Sequence, residues 1–452
     1  MTITRRQFLV SAAAGTAGLA ADFAHGGWTA RSYGRILGAN DRVRVGIVGF
    51  SDRFRNDLLP SFLLSNKELN FEFTAVSDLW SRRREEAAAY LKLKAGVDVA
   101  LARNNEELYE RRDTDAVIIS TADFQHALLL DDAVRSGRDA YCEKPFAETM
   151  ADARAALKAV KETGKIVQIG SQRRSGSNYI AAYEYLKSGK FGPITAVEMT
   201  WNVNQPGRWR RPKLVAAIRE ADTDWKRYLL NRPAEPWDPR KYLEYRLFWP
   251  YSSGIPGQWM CHQIDTVHWF TGLPHPRSVA ANGGVYVWKD GRKNADTMTA
   301  VLDYGPLDDP SSGFQVVYSS RMHNSAGGVK EYYFSNGGKL DLDKNIVTAE
   351  GGMGAGSAAE MGMKPNLLEE YKLPQAQAGT AASMGADPMT AMHMRDWMEC
   401  VRSRKAPHAD VTAGYNHAIA CVMTTAALHT GARVTFDEAT QEVMAGGKPF
   451  QY

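Results

Sequence analysis

Asp139-Ala-Tyr-Cys-Glu-Lys-Pro145 is a short apolar run that meets an adjacent acid and base and is then stopped by proline. Pro145 has no N–H to give a sheet ladder and biases the residue before it toward extended backbone. The spacing therefore predicts a buried strand ending at Lys144, with the lysine side chain clear of the sheet. In open α/β sheets ligands gather outside the carboxyl ends of the strands, and Lys144 falls there. A solvated Glu-Lys pair is the ordinary alternative, since surface ion pairs are common and weak. The flanking stretches decide between the two.

Upstream, Arg42-Val-Arg-Val-Gly-Ile-Val-Gly49 alternates and then turns fully apolar, as the first buried strand of a parallel sheet does. A full dinucleotide fingerprint would continue Gly-x-Gly-x-x-Gly, but here Gly49 is followed by Phe50, Ser51, Asp52, Arg53 and Phe54, so two of the three glycines are missing. Ser51 still lets backbone approach a pyrophosphate, and a helix starting near residue 52 would offer it N–H groups. A second strand, Phe71–Ser77, ends in Asp78, where the ribose hydroxyls of NAD would lie. Arg82-Arg-Arg84 reads as the start of a solvated helix, with an NADP 2′-phosphate as the alternative partner. Asp115–Thr121 is a third strand, followed by a helix to Ser136; after Lys144 come a helix over Met150–Thr163 and a strand over Lys165–Gly170. Alternation of strand and helix predicts a doubly wound parallel sheet of Rossmann type.

The 452 residues exceed one ordinary core, so two domains plus extensions are expected: a signal and arm over 1–40, a dinucleotide-binding domain over 41–169 and a substrate-binding α+β domain over 170–452. A net charge of +4 with both signs interspersed gives no nucleic-acid signature. The four cysteines lack CxxC spacing, which argues against a zinc site or a disulfide framework. Thr4-Arg-Arg-Gln-Phe-Leu9, followed by a small-residue apolar run to Ala20, resembles a twin-arginine export signal, with cleavage near Ala24. That run is too short and too weakly apolar to span a bilayer stably. A periplasmic or otherwise exported protein is expected.

Val45-Gly-Ile-Val-Gly49, Ser120-Thr-Ala-Asp-Phe-Gln-His126, Glu143-Lys-Pro145 and Gly170-Ser-Gln-Arg-Arg174, in this order and at these intervals, resemble the Gfo/Idh/MocA oxidoreductases, the family of glucose-fructose oxidoreductase and inositol dehydrogenase. His393–Lys405 looks like the family's closing helix. The resemblance implies a second domain with an open, mainly antiparallel sheet over the nicotinamide end. The sequence supplies strand-like runs at Ile194–Asn202, Ser278–Val287, Thr297–Tyr304, Gly313–Ser320 and Glu331–Phe334, with a hairpin signal at Asn336-Gly-Gly338. Gly352–Ala386, rich in Gly, Ala and Met, reads as a long loop or lid, or as simple disorder.

The resemblance further implies a cofactor set of Gly49, Ser51, Asp78, Thr121, His126, Glu143, Lys144 and Gln172, a tightly held NAD with NADP as the alternative, and a dimer or tetramer. Relatives often carry an aspartate four residues before a histidine on the helix that faces substrate. Gln258 takes the aspartate position here and His262 the histidine, so the i, i+4 geometry survives while one carboxylate charge is lost. Tyr245 and Arg246, with Gln258, are candidates for the substrate wall, as are Tyr242 and the Arg208-Trp-Arg-Arg211 cluster. His262, Asp265 and His268 do not share one tight helix face, so no metal is expected there.

The predicted reaction is hydride transfer between a nicotinamide and a sugar or cyclitol carbinol carbon, with Lys144 stabilising the alkoxide and His262 taking the proton, or with Lys144 itself as the base if burial lowers its pKa. Two other classes fit the same residues. One is a glycoside hydrolase or lyase acting by transient oxidation and elimination; the other is a non-catalytic binding relative, in which the missing glycines and carboxylate mark decay.

Overall fold

A computed structural model describes residues 41–309, 311–374 and 387–451. The twin-arginine stretch and its arm lie outside the described residues, as does 375–386 within the expected lid. The first sheet has six parallel strands in the order β3-β2-β1-β4-β5-β6: β1 Val43–Val48, β2 Phe71–Ser77, β3 Ala100–Ala102, β4 Ala116–Ile119, β5 Asp139–Cys142 and β6 Val167–Ile169. β4 and β5 are buried at every residue, which is why they read as continuous apolar runs. Around them run α1 (52–63, containing a π turn over Phe54–Leu58), α2 Ser81–Ala95, α3 Asn105–Glu110, α4 His126–Arg135 and α5 Met150–Thr163. α5 is capped as its sequence demands: the Thr149 hydroxyl accepts from Asp152 N–H, and Gly164 closes the helix at φ 61°.

Parallel register aligns the carboxyl ends of the central strands. Val48 pairs with Ile119, Ile119 with Cys142, and Cys142 with Ile169. One further rung continues each ladder, with Ser120 N–H on Val48 O, Glu143 N–H on Ile119 O and Gly170 N–H on Cys142 O. Gly49, Thr121, Glu143 and Gly170 thus emerge side by side along one edge. The strand at Lys144 is shorter than the sequence implies, because pairing geometry ends at Cys142 and the last rung falls on Glu143. The edge strand β3 carries no sequence signal, being three small or half-exposed residues that form a strand only by lying beside β2.

After α6 (Ser177–Lys187), an 11-stranded sheet in the order β14-β13-β12-β11-β7-β10-β9-β8-β15-β16-β17 forms the second half. Its long members are β7 Ile194–Asn202, β8 Ser278–Gly284, β9 Thr297–Tyr304, β10 Phe314–Arg321 and β11 Val329–Ser335, continued by β12 Gly338–Asp341 and β13 Ile346–Thr348. β7 pairs parallel to β10, and the other pairings are antiparallel. One face is covered by a helix of residues 256–271, α7, which opens in a π turn over Pro256–Met260 and ends at Gly272 with φ 74°. Gln263 Nε2 donates to Lys330 O at 2.7 Å, and His268 Nε2 meets the Tyr304 hydroxyl at 2.8 Å. Gly352–Ala386 is not featureless: it holds a short helix, Ala355–Glu360, and the two-residue strand β14, Tyr371–Lys372, paired to β13.

His393–Lys405 is not the closing element. The helix there, α8, runs Pro388–Ser403; it is followed by α9 Val411–Thr430 and then by β15 Val434–Asp437, β16 Glu442–Ala445 and β17 Lys448–Pro449. α8 and α9 return to the first sheet. Trp397, fully buried, lies 6.0 Å from the rings of Phe71 and Tyr141. Gly414 approaches so close that a Cβ there would sit 2.8 Å from Ile169 and 3.0 Å from Phe146. Among the described residues no helix is long and apolar enough to cross a membrane.

The junction between the halves carries a buried ion pair. Arg174, in the 3-10 turn Gln172–Ser175 after β6, holds fully buried Asp265 of α7 through two bonds of 2.8 and 3.0 Å. Burial would raise the Asp265 pKa, but Arg174 and His417 outweigh it and hold the carboxyl below its usual range. Because the folded value is depressed, the stabilisation is whole above about pH 4 and shrinks as pH falls below that. Arg174→Met should cost about 3–5 kcal/mol at pH 7. In urea melts the gap from the parent should narrow at pH 3; an equal gap at both pH values would show that the pair does not carry it.

Candidate functional site

A cavity of about 860 Å³ opens along the carboxyl ends of β1, β2 and β4, within the size range of small-molecule and cofactor sites. At one end lies the turn after β1. Gly49 has φ 84°, and a Cβ there would stand 2.7 Å from Thr121 Cγ2 and 3.1 Å from Ser120 O, so this position requires glycine. Ser51 caps α1, its hydroxyl accepting from Phe54 N–H at 3.1 Å and donating to Ser120 Oγ at 3.1 Å. A capped helix start with open N–H groups is a suitable anion cradle, and one glycine suffices because Ser51 does the work of a cap.

Asp78 lines the same cavity. Its oxygens accept from Phe50 N–H and Trp80 N–H, each at 2.9 Å. Burial raises its pKa, against those two bonds and the nearby Arg83 and Arg84. A carboxylate has about four acceptor sites, so it can still receive ribose hydroxyls. The Oγ1 of Thr121 and the hydroxyl of Tyr109 are buried on this wall without a partner. Orphan polar atoms around a roomy cavity fit a dinucleotide, which would supply what they lack.

Gln258, Tyr245 and Arg246 also stand on the wall, and the Tyr245 hydroxyl donates to Thr121 O at 3.4 Å. The Arg246 guanidinium lies 4.8 Å from the Tyr245 ring centroid and 3.7 Å from Asp123. Neither Lys144 nor His262 is on the cavity wall; behind it, the Lys144 ammonium donates to Gln258 O at 2.8 Å. Burial lowers the Lys144 pKa, opposed by Cys261, Glu143 and Asp123. One turn beyond Gln258, His262 stacks on Trp201 at 5.8 Å, within an aromatic series that continues through Trp259 to Trp209. Burial, then the charges of Lys144 and Arg173, push the His262 pKa well below 6.5. Its imidazole is therefore neutral at pH 7.

Other candidates turn elsewhere. His126 Nδ1 donates to Pro145 O at 2.8 Å, which pins the corner after Lys144, and neither His126 nor Glu143 is on the cavity wall. Glu143 accepts from Arg53 Nε at 2.8 Å; burial would raise its pKa, but Arg53 and Lys144 hold it low. Gln172 is also off the wall, with its Oε1 buried and unpartnered. His268 and Asp265 are engaged by Tyr304 and Arg174, away from His262.

Two residues escape a sequence reading. Arg53 lines the cavity with Nη2 buried and unpartnered, and its pairing with Glu143 spans 90 positions. Asp123 is fully buried and takes Gln258 Nε2 and Ser252 Oγ on Oδ2, each at 2.6 Å. The carboxylate absent from position 258 is thus present beside it, supplied by the first domain. The chemical signal, an acid inside Ser120–His126, was visible; the contact was not.

Residues 43–171 match the GFO_IDH_MocA family, an oxidoreductase family with an NAD-binding Rossmann fold. The nucleotide half of this chain is therefore similar to the NAD-binding Rossmann domain of that family. More particularly, the chain is similar to inositol 2-dehydrogenase of Salmonella typhimurium, 25% identical over 215 residues, covering 47% of this chain and 58% of that protein. It is also similar to 1,5-anhydro-D-fructose reductase of Ensifer adhaerens, 29% identical over 202 residues, covering 42% and 58%. The chain thus spans 58% of the length of these two curated relatives. The structure of WlbA dehydrogenase from Bordetella pertussis, in complex with NADH and UDP-GlcNAcA, aligns with TM-score 0.62 at 15% identity, over 88% of this chain and 99% of that one. Aldose-aldose oxidoreductase from Caulobacter crescentus, complexed with glycerol, gives 0.60 at 17%, over 87% and 100%. Both show the same fold, a Rossmann sheet followed by an open mixed sheet.

Gly49→Ala should lower stability by about 1–3 kcal/mol through strain and overlap with Thr121, and weaken NADH binding at least tenfold. Thermal melts with and without NADH, together with NADH fluorescence titration, check both; unchanged NADH affinity would place the cradle elsewhere.

Proposed function

We propose that this protein is an NAD(P)-dependent oxidoreductase that transfers a hydride between a nicotinamide and a carbinol carbon of a sugar or cyclitol. The observation that carries the proposal is a cavity whose wall carries both the Gly49 turn and Gln258, the latter backed by Lys144 and Asp123. The similarity to inositol 2-dehydrogenase and 1,5-anhydro-D-fructose reductase supports the substrate class.

Gly49, Ser51, Asp78 and Thr121 would hold the dinucleotide, whose nicotinamide supplies the hydride acceptor or donor when bound. Alcohol oxidation needs a base at the hydroxyl and positive charge near the oxygen as its proton leaves. His262 suits the first task because burial keeps it neutral. Lys144 suits the second, and its bond to the Gln258 carbonyl fixes the ammonium beside the turn that carries His262. Gln258 cannot accept the proton itself. Its amide is held by Asp123, so the side-chain carbonyl is left to receive a substrate hydroxyl.

Denaturing the purified protein should release a nicotinamide dinucleotide identifiable by absorbance and mass; a protein that neither contains nor binds one would end the oxidoreductase reading. Lys144→Met should reduce turnover about 10²–10⁴-fold while NADH still binds. The acid limb of the rate of alcohol oxidation should fall below the pH 6.5 of an ordinary imidazole, since a depressed pKa keeps His262 deprotonated to lower pH. A limb at or above 6.5 would exclude His262 as the base.

A further inference from the structure

Three arginines, Arg208, Arg211 and Arg246, line the cavity, and their partners differ. Arg211 is paired with Asp52 at 3.2 Å, and Arg246 with Asp123 at 3.7 Å. Glu244, the other acid on this wall, is already shared between Arg210 and Arg240 at 2.9 and 2.8 Å. Arg208 has no ion pair or side-chain hydrogen bond among the described residues. Its Nε is buried and unpartnered, and its guanidinium lies 5.9 Å from the Trp259 ring centroid, on the aromatic wall that leads to His262. The nearest charges to it are Arg246 and Arg211, and burial together with those two like charges lowers its pKa.

This position is held at a cost. Trp209 adopts φ 68°, a left-handed backbone that a bulky side chain rarely takes. The segment before it is tied to the second sheet by Val203 N–H on Arg321 O and Gln205 N–H on Met322 O, and Arg292 Nη2 donates to Arg208 O at 3.4 Å. A partly desolvated guanidinium on a cavity wall, with no acid paired to it, is suited to receive an anionic group from a ligand.

We propose that the substrate is an anionic sugar, a uronate or a sugar phosphate, whose charged group is received by Arg208 against Trp259. This rests on the oxidoreductase reading above and narrows its substrate class. A guanidinium and a carboxylate or phosphate meet in a bidentate fork, which would orient the ring along the aromatic wall with a carbinol carbon toward Gln258 and His262.

Calorimetric titration of D-glucuronate, D-glucose 6-phosphate and D-glucose, each with and without NADH, tests the proposal on the parent, Arg208→Met and Arg208→Lys. One of the two anions should bind the parent at least tenfold more tightly than glucose, and which one identifies the group received. Arg208→Met should weaken that anion about 10–100-fold, the scale of a lost charge-assisted contact, without changing glucose; Arg208→Lys should recover part of the loss. Parent affinities for both anions no better than for glucose would overturn the proposal, as would an equal loss for anion and glucose in Arg208→Met. A collapse of NADH affinity in Arg208→Met would also overturn it, by assigning the arginine to the cofactor's phosphates. A parent that takes no NADH would instead end the oxidoreductase reading, while the contrast between anion and glucose is still read in the titrations without it.

Discussion

The buried pairing of Glu143 with Arg53 is the constraint around which the nucleotide half is assembled. Glu143 leaves the sheet one residue after β5 and is almost wholly buried, so its charge must be met inside the protein. Arg53 meets it at 2.8 Å from the first turn of α1, fixing the cradle at Gly49 relative to the corner at Lys144. The packing leaves no slack. A Cβ at Gly170 would fall 2.8 Å from a Glu143 oxygen, and His126 holds the next carbonyl of the corner from the other side. Glu143 and His126 therefore position the site by fixing backbone, while the wall of the cavity is formed by their neighbours.

The contacts around Gln258 join residues from both sheets' connections. Asp123 comes from the first and Gln258 from the second, and the bond between them restores a carboxylate next to a helix position where the charge is absent. The same junction carries Lys144 to the Gln258 carbonyl and Arg174 to Asp265. Each is a charged group brought into a buried interface with a hydrogen-bonding partner, an arrangement that is costly to break.

Much of the fold was legible. Continuous apolar runs at Val45–Gly49, Ala116–Ile119 and Asp139–Cys142 read as strands covered on both faces, and Gly164 and Gly272 mark helix ends through local geometry. The edge strand β3 was not legible, because it gains its structure from β2 and not from its own residues. Nor was the return of α8 and α9 to the first sheet, which joins segments more than 200 residues apart, as in the His393 bond to Ile169 O.

In the site, single-residue chemistry was readable and partnership was not. Gly49, Ser51, Asp78, Lys144 and His262 could be named because strand ends, a helix start and an i, i+4 spacing are local patterns. Whether Lys144 faces solvent or a carbonyl, whether Glu143 meets a ligand or Arg53, and whether Arg208 has an acid beside it are set by through-space distances of a few ångströms between distant parts of the chain. Sequence alone determined the kinds of groups available and the sheet that would carry them, since periodicity and capping are properties of neighbouring residues. Tertiary structure alone decided which charges are spent on one another and which are left for a ligand, since desolvation and pairing exist only once the chain has closed around them.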